Sequence, residues 1–500
     1  MMTTRSSLSA PRSATRSASH STLVLTPLVM ALWLAGCATT PAASVAPVVP
    51  AAYATTAAPV EGSWQPARPA EASGRGTWWT SFADPQLDGL QARALQANPS
   101  LASAAARVQA ARSVLRGAES ARWPQLNVQT GAARSRAAPA SLGLPEGTST
   151  PISTLLQAGL GASYEVDLFN RVGGTINAAQ ADAGRVDANY RSVLLALQGD
   201  VAQTYFALRT LDAEIAQLDA TVGLRSENAR LIDKRFQAGD VAEFDQARAR
   251  TELATVQAEA VALRAQRARL DHGLALLLGE SPSSFTLAPS PLTDSVTVPL
   301  VPPGLPSELL ERRPDVAGAQ LAVQAASARV GVARAAWFPA LTLTANGGYA
   351  SSQLEDLFKW SSRAWLASVV LSLPLIDGGR NRAAVEGAEA QLEGVAADYR
   401  TVVLSAFADV ENQLSDLRSV QEQVVFTDRA VASARRAAQL ADKRYRAGED
   451  SYFQLIDTQR NLLSIERQSV KLRGQWASST VGLIRALGGS WDRPALPVTP

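Results

Sequence analysis

Apolar residues recur every seven positions in two stretches of the chain. In the first stretch one register comprises Leu194, Val201, Leu208, Ile215 and Val222, and the other comprises Leu197, Thr204, Leu211 and Leu218. In the second stretch the repeat reads Val403, Val410, Leu417, Val424 and Val431. A seven-residue repeat of this length is typical of helices that pack along a shared seam. It predicts two long helices, over about 174–236 and 381–445, each roughly 95 Å long at 1.5 Å per residue.

A glycine stands at the end of each predicted long helix. Gly239 lies in RFQAGD and Gly448 lies in RYRAGED, where a left-handed residue commonly ends a helix. A shorter helix is predicted after each glycine, over about 241–278 and 451–487. The chain should therefore form two long helical hairpins, which lie side by side in a bundle or a tube because helices of this length cannot fold into a compact domain.

Four other segments alternate apolar and polar residues, which is the period of a β-strand. Two begin at 126 and 341, and two lie near 156–168 and 365–375. The expected junctions between helices and strands are Pro124, Pro339, Pro374, Gly173 and Gly378-Gly379. Strands of about ten residues suit a membrane barrel, which four strands cannot close and twelve strands from three chains can. The predicted fold class is mainly α with a small transmembrane β-barrel portion, built from duplicated helical hairpins and four strands per chain.

The body of the chain is duplicated. Gly239 and Gly448 are 209 residues apart, and the same offset relates Arg171 to Arg380. A repeat of this length indicates a duplicated structural unit. The predicted domains are a signal peptide at 1–36, a lipid anchor and linker at 37–77, a first repeat at 78–280, a linker at 281–304, a second repeat at 305–489 and a tail at 490–500.

The N-terminal segment predicts secretion and lipid attachment. Arg5, Arg12 and Arg16 precede an apolar stretch at 23–34 that is too short to span a bilayer, which takes about 20 residues. The stretch ends in Leu34-Ala35-Gly36-Cys37, which resembles the bacterial lipobox, where cleavage precedes a cysteine whose thiol is acylated. Ala38 follows in place of the aspartate that favours inner-membrane retention. We therefore expect a lipid anchor on Cys37 in the outer membrane.

Composition excludes several classes of function. Cys37 is the only cysteine and His272 is the only histidine outside the signal segment, so disulfides, Cys/His zinc centres and thiol catalysis are not expected. A serine–histidine–aspartate triad would depend on His272, which lies in a predicted helix. The formal charge of +2 gives no electrostatic reason to expect nucleic acid as a partner. We expect no enzymatic activity, cofactor or metal.

Four motifs resemble the TolC-type outer-membrane efflux factor family, in its lipoprotein (NodT-like) branch, over about 77–489. They are Trp78-Trp79-Thr80-Ser81-Phe82 with Asp84-Pro85, then Asn98-Pro99-Ser100-Leu101, then Leu305-Pro306 through Arg312-Arg313-Pro314-Asp315-Val316, and the paired turns RFQAGD and RYRAGED. The resemblance implies a homotrimer with a twelve-stranded barrel in the outer membrane and a twelve-helix tube across the periplasm. It also implies two partners, a periplasmic adaptor protein and an inner-membrane efflux pump.

The resemblance further implies a periplasmic gate near the second glycine. Asp457, nine residues after Gly448, is similar to an aspartate that forms a ring on the channel axis, and Phe453 is similar to an apolar ring beside it. Tyr445 and Asp245 are similar to residues that latch neighbouring helices in closed channels. Asp450 stands where the best-known member has an arginine, so the closed-state ion pairs of that member cannot be transferred intact.

The family docks its adaptor at the hairpin tips, which in this chain contain Gly239, Val241, Gly448 and Ser451. The glycines are also explained simply as the ends of helices. A role of these four residues in adaptor docking is therefore implied by the resemblance alone.

Three functions remain open from the sequence. The first is a passive outer-membrane exit duct for small toxic compounds or drugs in a tripartite efflux pump. The second is a type I protein-secretion duct, which shares the same architecture, and the third is a structural coiled-coil lipoprotein of the envelope. The lipobox and the Arg-Arg-Pro-Asp signature favour efflux, and the four strands argue against a purely structural bridge. The exported substrate and the class of the pump stay undetermined.

Overall fold

The computed structural model describes residues 76–292, 299, 301 and 312–489. Cys37 and the segment 302–311, which contains much of the predicted second-half signature, lie outside these residues. The described helices are α1 (Pro85–Ala97), α2 (Pro99–Glu119), α3 (Arg171–Gln237), α4 (Glu243–Leu277), α5 (Pro314–Ala335), α6 (Arg380–Arg446) and α7 (Tyr452–Ala486). The described strands are β1 (Gln125–Arg136), β2 (Ile152–Val166), β3 (Ala340–Ser351) and β4 (Arg363–Ser372). The predicted fold class, mainly helical with four strands, is confirmed.

The two helical hairpins follow the predicted duplication. Helices α3 and α6 each have 67 residues, which corresponds to about 100 Å, and both of their ends are related by the offset of 209 residues. Gly239 and Gly448 have φ angles of 81° and 78°, so each occupies the left-handed conformation that ends a helix. The following N–H groups, of Asp240 and Glu449, donate to helix carbonyls at 2.8 and 2.9 Å and close the last turn.

Helix α3 begins three residues earlier than expected because an acidic residue satisfies its first N–H groups. The Asp167 carboxylate accepts from the N–H of Val172 at 3.1 Å and from the N–H of Gly173 at 2.7 Å. Gly173 therefore lies in the first turn of α3 and not at the junction, where Asn170 adopts a φ of 59°. Asp377 has the same role at the start of α6, where it accepts from the N–H of Asn381 at 2.9 Å.

Four of the described helices lie side by side at each level of the body. Towards the tips of the hairpins the order is α4, α3, α7 and α6, and towards the sheet it is α2, α3, α5 and α6. The long helices α3 and α6 therefore run through both levels. None of the helices in the described part of the chain combines the length and the apolar character that a bilayer crossing requires.

The N-terminal turn at Trp78–Phe82 and helix α1 pack on the middle of this helical layer. Phe82 is 1% exposed and its ring lies 4.9 Å from the ring of Phe206 in α3. Asp84 caps α1 and also accepts a hydrogen bond from the Tyr205 hydroxyl at 2.5 Å. The residues of the first predicted motif thus hold the N-terminal segment against α3.

A buried ionic cluster joins α3, α4 and the chain after α4. Asp212 accepts from Arg209 at 2.8 Å and from Arg267 of α4 at 2.6 Å. Its third partner is the N–H of Ser290, which donates to Asp212 at 3.0 Å. Arg209 also donates to the carbonyl of Ala288 at 3.0 Å. Because these groups are almost fully withdrawn from water, the cluster fixes the segment after the first repeat against the helices.

The strands form one antiparallel sheet in the order β1–β2–β3–β4. The register places one set of mostly apolar side chains on one face: Leu126, Val128, Leu156, Leu160, Leu341, Leu343, Trp365, Val369 and Leu371. The other face is mostly polar and carries Gln125, Asn127, Gln129, Gln157, Ser163, Thr342, Thr344, Asn346 and Ser368. The apolar face is exposed in the single chain; Leu126 is 77% and Trp365 is 83% exposed.

The strand boundaries differ from the predicted ones at β2 and β4. Strand β2 has 15 residues and starts at Ile152, and β4 ends at Ser372 instead of about 375. Pro374 has no N–H to donate, which explains the early end of β4. Glycines permit the close approach of β2 and β3, because Gly159 and Gly348 are register partners.

Candidate functional site

The tips of the two hairpins are held together by a small apolar cluster, here named the hairpin-tip cluster. It comprises Ala229, Ile232, Ala249, Ala441, Tyr452, Leu455 and Ile456, which come from α3, α4, α6 and α7. Small residues on three of these helices leave room for the larger side chains of α7. Ile456 and Ile232 are at most 1% exposed, so the cluster fixes the start of α7 against α3.

Phe453 and Asp457 lie together on the opposite face of α7. The Ser451 side chain caps this helix by accepting from the N–H of Gln454. Because Phe453 and Asp457 are four residues apart, they lie on one face, one helical turn apart. Both are exposed, and Phe453 keeps 51% of its surface accessible. The structure therefore places the two predicted gate residues side by side on a surface that the cluster does not cover.

Tyr445 contacts the first hairpin, whereas Asp245 does not reach Tyr445. The hydroxyl of Tyr445 accepts a hydrogen bond from Arg235 of α3 at 3.3 Å, and its ring lies 5.9 Å from the ring of Tyr452. Asp245 is half-buried in the first turn of α4, and no ion pair or side-chain hydrogen bond joins it to another described residue. The latch role of both residues stays a prediction.

Asp450 is paired within its own turn. Its carboxylate lies 3.2 Å from the guanidinium of Arg444, near the end of α6, and Glu449 lies 3.7 Å from the same arginine. The charge of Asp450 is therefore balanced locally by an arginine of its own hairpin.

The predicted docking residues all have structural roles at the tips. Gly239 and Gly448 end the long helices in the left-handed conformation. Val241 packs against the hairpin-tip cluster, and Ser451 caps α7. These roles are compatible with adaptor docking and do not test it.

Sequence reasoning missed a buried arginine next to the tip. Arg225 of α3 is 2% exposed and donates to the Gln459 side chain of α7 at 2.7 Å. Glu252 of α4 lies nearby and is paired with Arg460 of α7. Burial lowers the pKa of the Arg225 guanidinium from its ordinary value. The sequence does contain a signal for this residue, because Arg225 lies seven residues after Leu218, at the next position of the heptad repeat. A polar residue at such a position usually fixes how two helices align along their seam, at a cost in stability.

Tyr452 is a neutral phenol at the centre of the tip. Burial raises the pKa of its hydroxyl to about 12. It belongs to the same cluster as Leu455, and its ring lies 5.9 Å from that of Tyr445, so the start of α7 is anchored by an aromatic residue that does not ionise at neutral pH.

Similarity to known proteins extends over most of the chain. The family model described as outer membrane efflux protein matches residues 90–280 and 305–489. The chain is 35% identical over 411 residues to the toluene efflux pump outer membrane protein TtgI of Pseudomonas putida, which covers 82% of this chain and 87% of that protein. It is 33% identical over 472 residues to the outer membrane protein OprJ of Pseudomonas aeruginosa, covering 93% and 95%.

A solved structure shows the same fold. The outer-membrane channel OprN superposes with a TM-score of 0.80 at 28% identity, and the match covers 91% of this chain and 100% of that chain. The long hairpins and the four-stranded sheet are therefore shared with a known outer-membrane channel.

Proposed function

The chain belongs to the outer membrane efflux protein family, and from this premise we propose that three copies of it form one exit duct, anchored by lipid and docked on an adaptor protein and an inner-membrane pump. Its relatives are outer-membrane efflux channels, and this chain is an outer-membrane efflux duct. The duct conducts passively, and the pump supplies the energy. The relative named for toluene efflux supports small toxic organic compounds as the exported class.

The proposal of a trimer rests mainly on the four-stranded sheet. Its edge strands β1 and β4 are unpaired in the single chain, and one face is apolar while the other is polar. Unpaired strand edges are not tolerated in lipid, where water cannot satisfy the backbone N–H and C=O groups. Three copies joined β4 to β1 would pair every edge, with the apolar face towards lipid and the polar face towards the lumen.

The helices support the same stoichiometry. The single chain contributes four helices at each level of the body, so three chains would contribute twelve. Twelve helices side by side would form a tube, and its lumen would continue the lumen of the closed sheet. A purely structural envelope lipoprotein would need neither the two-faced sheet nor this constant number of helices.

We propose that Phe453 and Asp457 form the gate. In a trimer each face that carries these residues is repeated three times around the axis. Three carboxylates that converge on one axis attract cations and select against anions. Phe453, one turn away, adds an apolar ring that narrows the passage.

Asp457→Ala is expected to weaken the block of the channel by multivalent cations added on the periplasmic side. The reason is that the substitution removes the ring of carboxylates, and folding should be preserved because Asp457 is exposed and has no described partner. The measurement is single-channel current in planar bilayers. Glu449→Ala is the matched control, since this acid lies in the turn that precedes α7 and not on the helix face of Phe453 and Asp457. A block as strong in Asp457→Ala as in the unsubstituted protein would place the ring elsewhere.

Cys37→Ser is expected to abolish lipid attachment, because serine lacks the thiol that the acyl-glyceryl group modifies. Labelled palmitate should enter the unsubstituted protein and not the variant, and the variant should accumulate as an unprocessed or released form. Ala38→Ser, at the neighbouring position, is the control and should label normally. Unsubstituted protein that takes up no label would refute the lipid anchor.

A further inference from the structure

An arginine of the first hairpin covers the ring of the gate phenylalanine. The guanidinium carbon of Arg248, in the second turn of α4, lies 4.2 Å from the centroid of the Phe453 ring in α7. This distance is well within the range of a cation–π contact. The contact joins two helices that belong to different hairpins and occurs at the residue predicted to form the apolar ring.

Arg248 is available for this contact because it forms no ion pair with a described residue. Arg250, two positions later on the same helix, behaves differently and lies 3.1 Å from the carboxylate of Asp233 in its own hairpin. Arg248 is half-buried, so its charge is partly withdrawn from water where it meets the ring. Partial desolvation strengthens a cation–π contact.

The hairpin-tip cluster does not hold the Phe453 ring in place. Its chain neighbour Tyr452 belongs to the hairpin-tip cluster, whereas Phe453 does not. A ring that keeps 51% of its surface exposed would otherwise sample several rotamers. The guanidinium therefore restricts the position of the ring.

We propose that Arg248 is a positioning residue of the gate: it holds Phe453 across the passage and ties the first hairpin to the second at the level of the constriction. The inference rests on the proposed function, in which Phe453 faces the axis of a trimer. Opening then requires the start of α7 to move away from α4, and this movement breaks three Arg248–Phe453 contacts per trimer.

The guanidinium also changes the electrostatics of the constriction. Asp457 lies one turn from Phe453 on the same face, so each copy brings one positive and one negative group to this end of the tube. Three positive charges beside three carboxylates reduce the mutual repulsion of the carboxylates. Removing Arg248 should therefore make the closed constriction more attractive to cations as well as easier to open.

The test compares single-channel open probability and cation block for Arg248→Gln, Phe453→Leu and the double variant. Each single substitution should raise the open probability roughly ten-fold, since three weak contacts are lost at once. The double variant should exceed neither single variant appreciably, because both substitutions remove the same contact. Arg248→Lys should retain most of the closed behaviour, since an ammonium also binds an aromatic face.

Two controls separate the contact from the loss of a surface charge. Arg250→Gln removes a charge from the same turn of α4, on a different face of the helix, without touching an aromatic ring. Arg429→Gln removes an arginine that lies 5.8 Å from the ring of Phe426 on α6, outside the hairpin-tip cluster. Both controls should behave like the unsubstituted channel, and the thermal melting of Arg248→Gln should be unchanged.

Two results would overturn the role of Arg248. One is that the effects of Arg248→Gln and Phe453→Leu on the open probability are additive. The other is that Arg248→Gln has the same open probability as the unsubstituted channel. If Asp457→Ala still relieves the cation block in that case, the proposed duct and gate stand and only this inference fails. A protein that forms no conducting channel at all would refute both.

Discussion

Asp212→Ala is expected to lower the free energy of unfolding by about 3–5 kcal/mol, the range for breaking a buried ion pair by removing one partner. The Asp212 side chain is 1% exposed, and those of Arg209 and Arg267 are 3% and 13% exposed. Without the carboxylate, the buried Arg209 guanidinium would lose its ion pair, and Arg267 would keep only the longer one to Asp271, at 3.6 Å. The segment around Ser290 would also lose one of its hydrogen bonds to α3, the bond from the N–H of Ser290 to Asp212.

Asp219→Ala is the matched control for this substitution. Asp219 lies one heptad later on α3 and is also paired with an arginine of α4, Arg264 at 2.5 Å, but both side chains are about half exposed. Pairs of this kind contribute about 0–1 kcal/mol. The urea dependence of the helical circular dichroism, measured in detergent at equal protein concentration, should separate the two variants clearly. An equal decrease in the free energy of unfolding for both variants would mean that burial does not strengthen the Asp212 cluster.

Gly348→Ala is expected to prevent most copies of the protein from assembling into trimers. A Cβ atom at this position would lie 2.5 Å from the Cα of Gly159 and would overlap the carbonyl oxygen of Ala158. Both obstacles are backbone atoms of β2, so no side-chain rotation relieves the overlap and β2 must separate from β3. The proposed trimer needs all four strands of each copy, so a single methyl group should eliminate the closed sheet.

Gly347→Ala is the control, because a Cβ at that position meets no atom within 4 Å. The two glycines are adjacent in β3 and differ only in the face of the sheet towards which the side chain would point. The mass of the detergent-solubilised particle, measured by light scattering, should be that of a trimer for Gly347→Ala and of smaller or aggregated species for Gly348→Ala. A stable trimer in both variants would show that β2 and β3 do not approach as closely as described.

The periodic elements of this protein follow from the sequence alone. A heptad repeat such as Leu194 to Val222 and a glycine such as Gly239 act over a few residues, and local spacing is sufficient to predict a helix and its end. The alternation around Leu126 and Leu341 predicted strands for the same reason. The position of Asp457 one turn after Phe453 was likewise readable, because residues four apart share a helix face.

Tertiary structure decided the contacts between residues that are distant along the chain. The hydrogen bond between Arg225 and Gln459, the close pairing of Gly159 with Gly348, and the contact of Arg248 with Phe453 each join residues of the two repeats. No local period specifies such a pair, because the packing of one helix or strand on another determines which side chains meet. The sequence therefore determined which elements form and where they end, and only the packing of the two hairpins decided that an arginine of the first lies on the gate residue of the second.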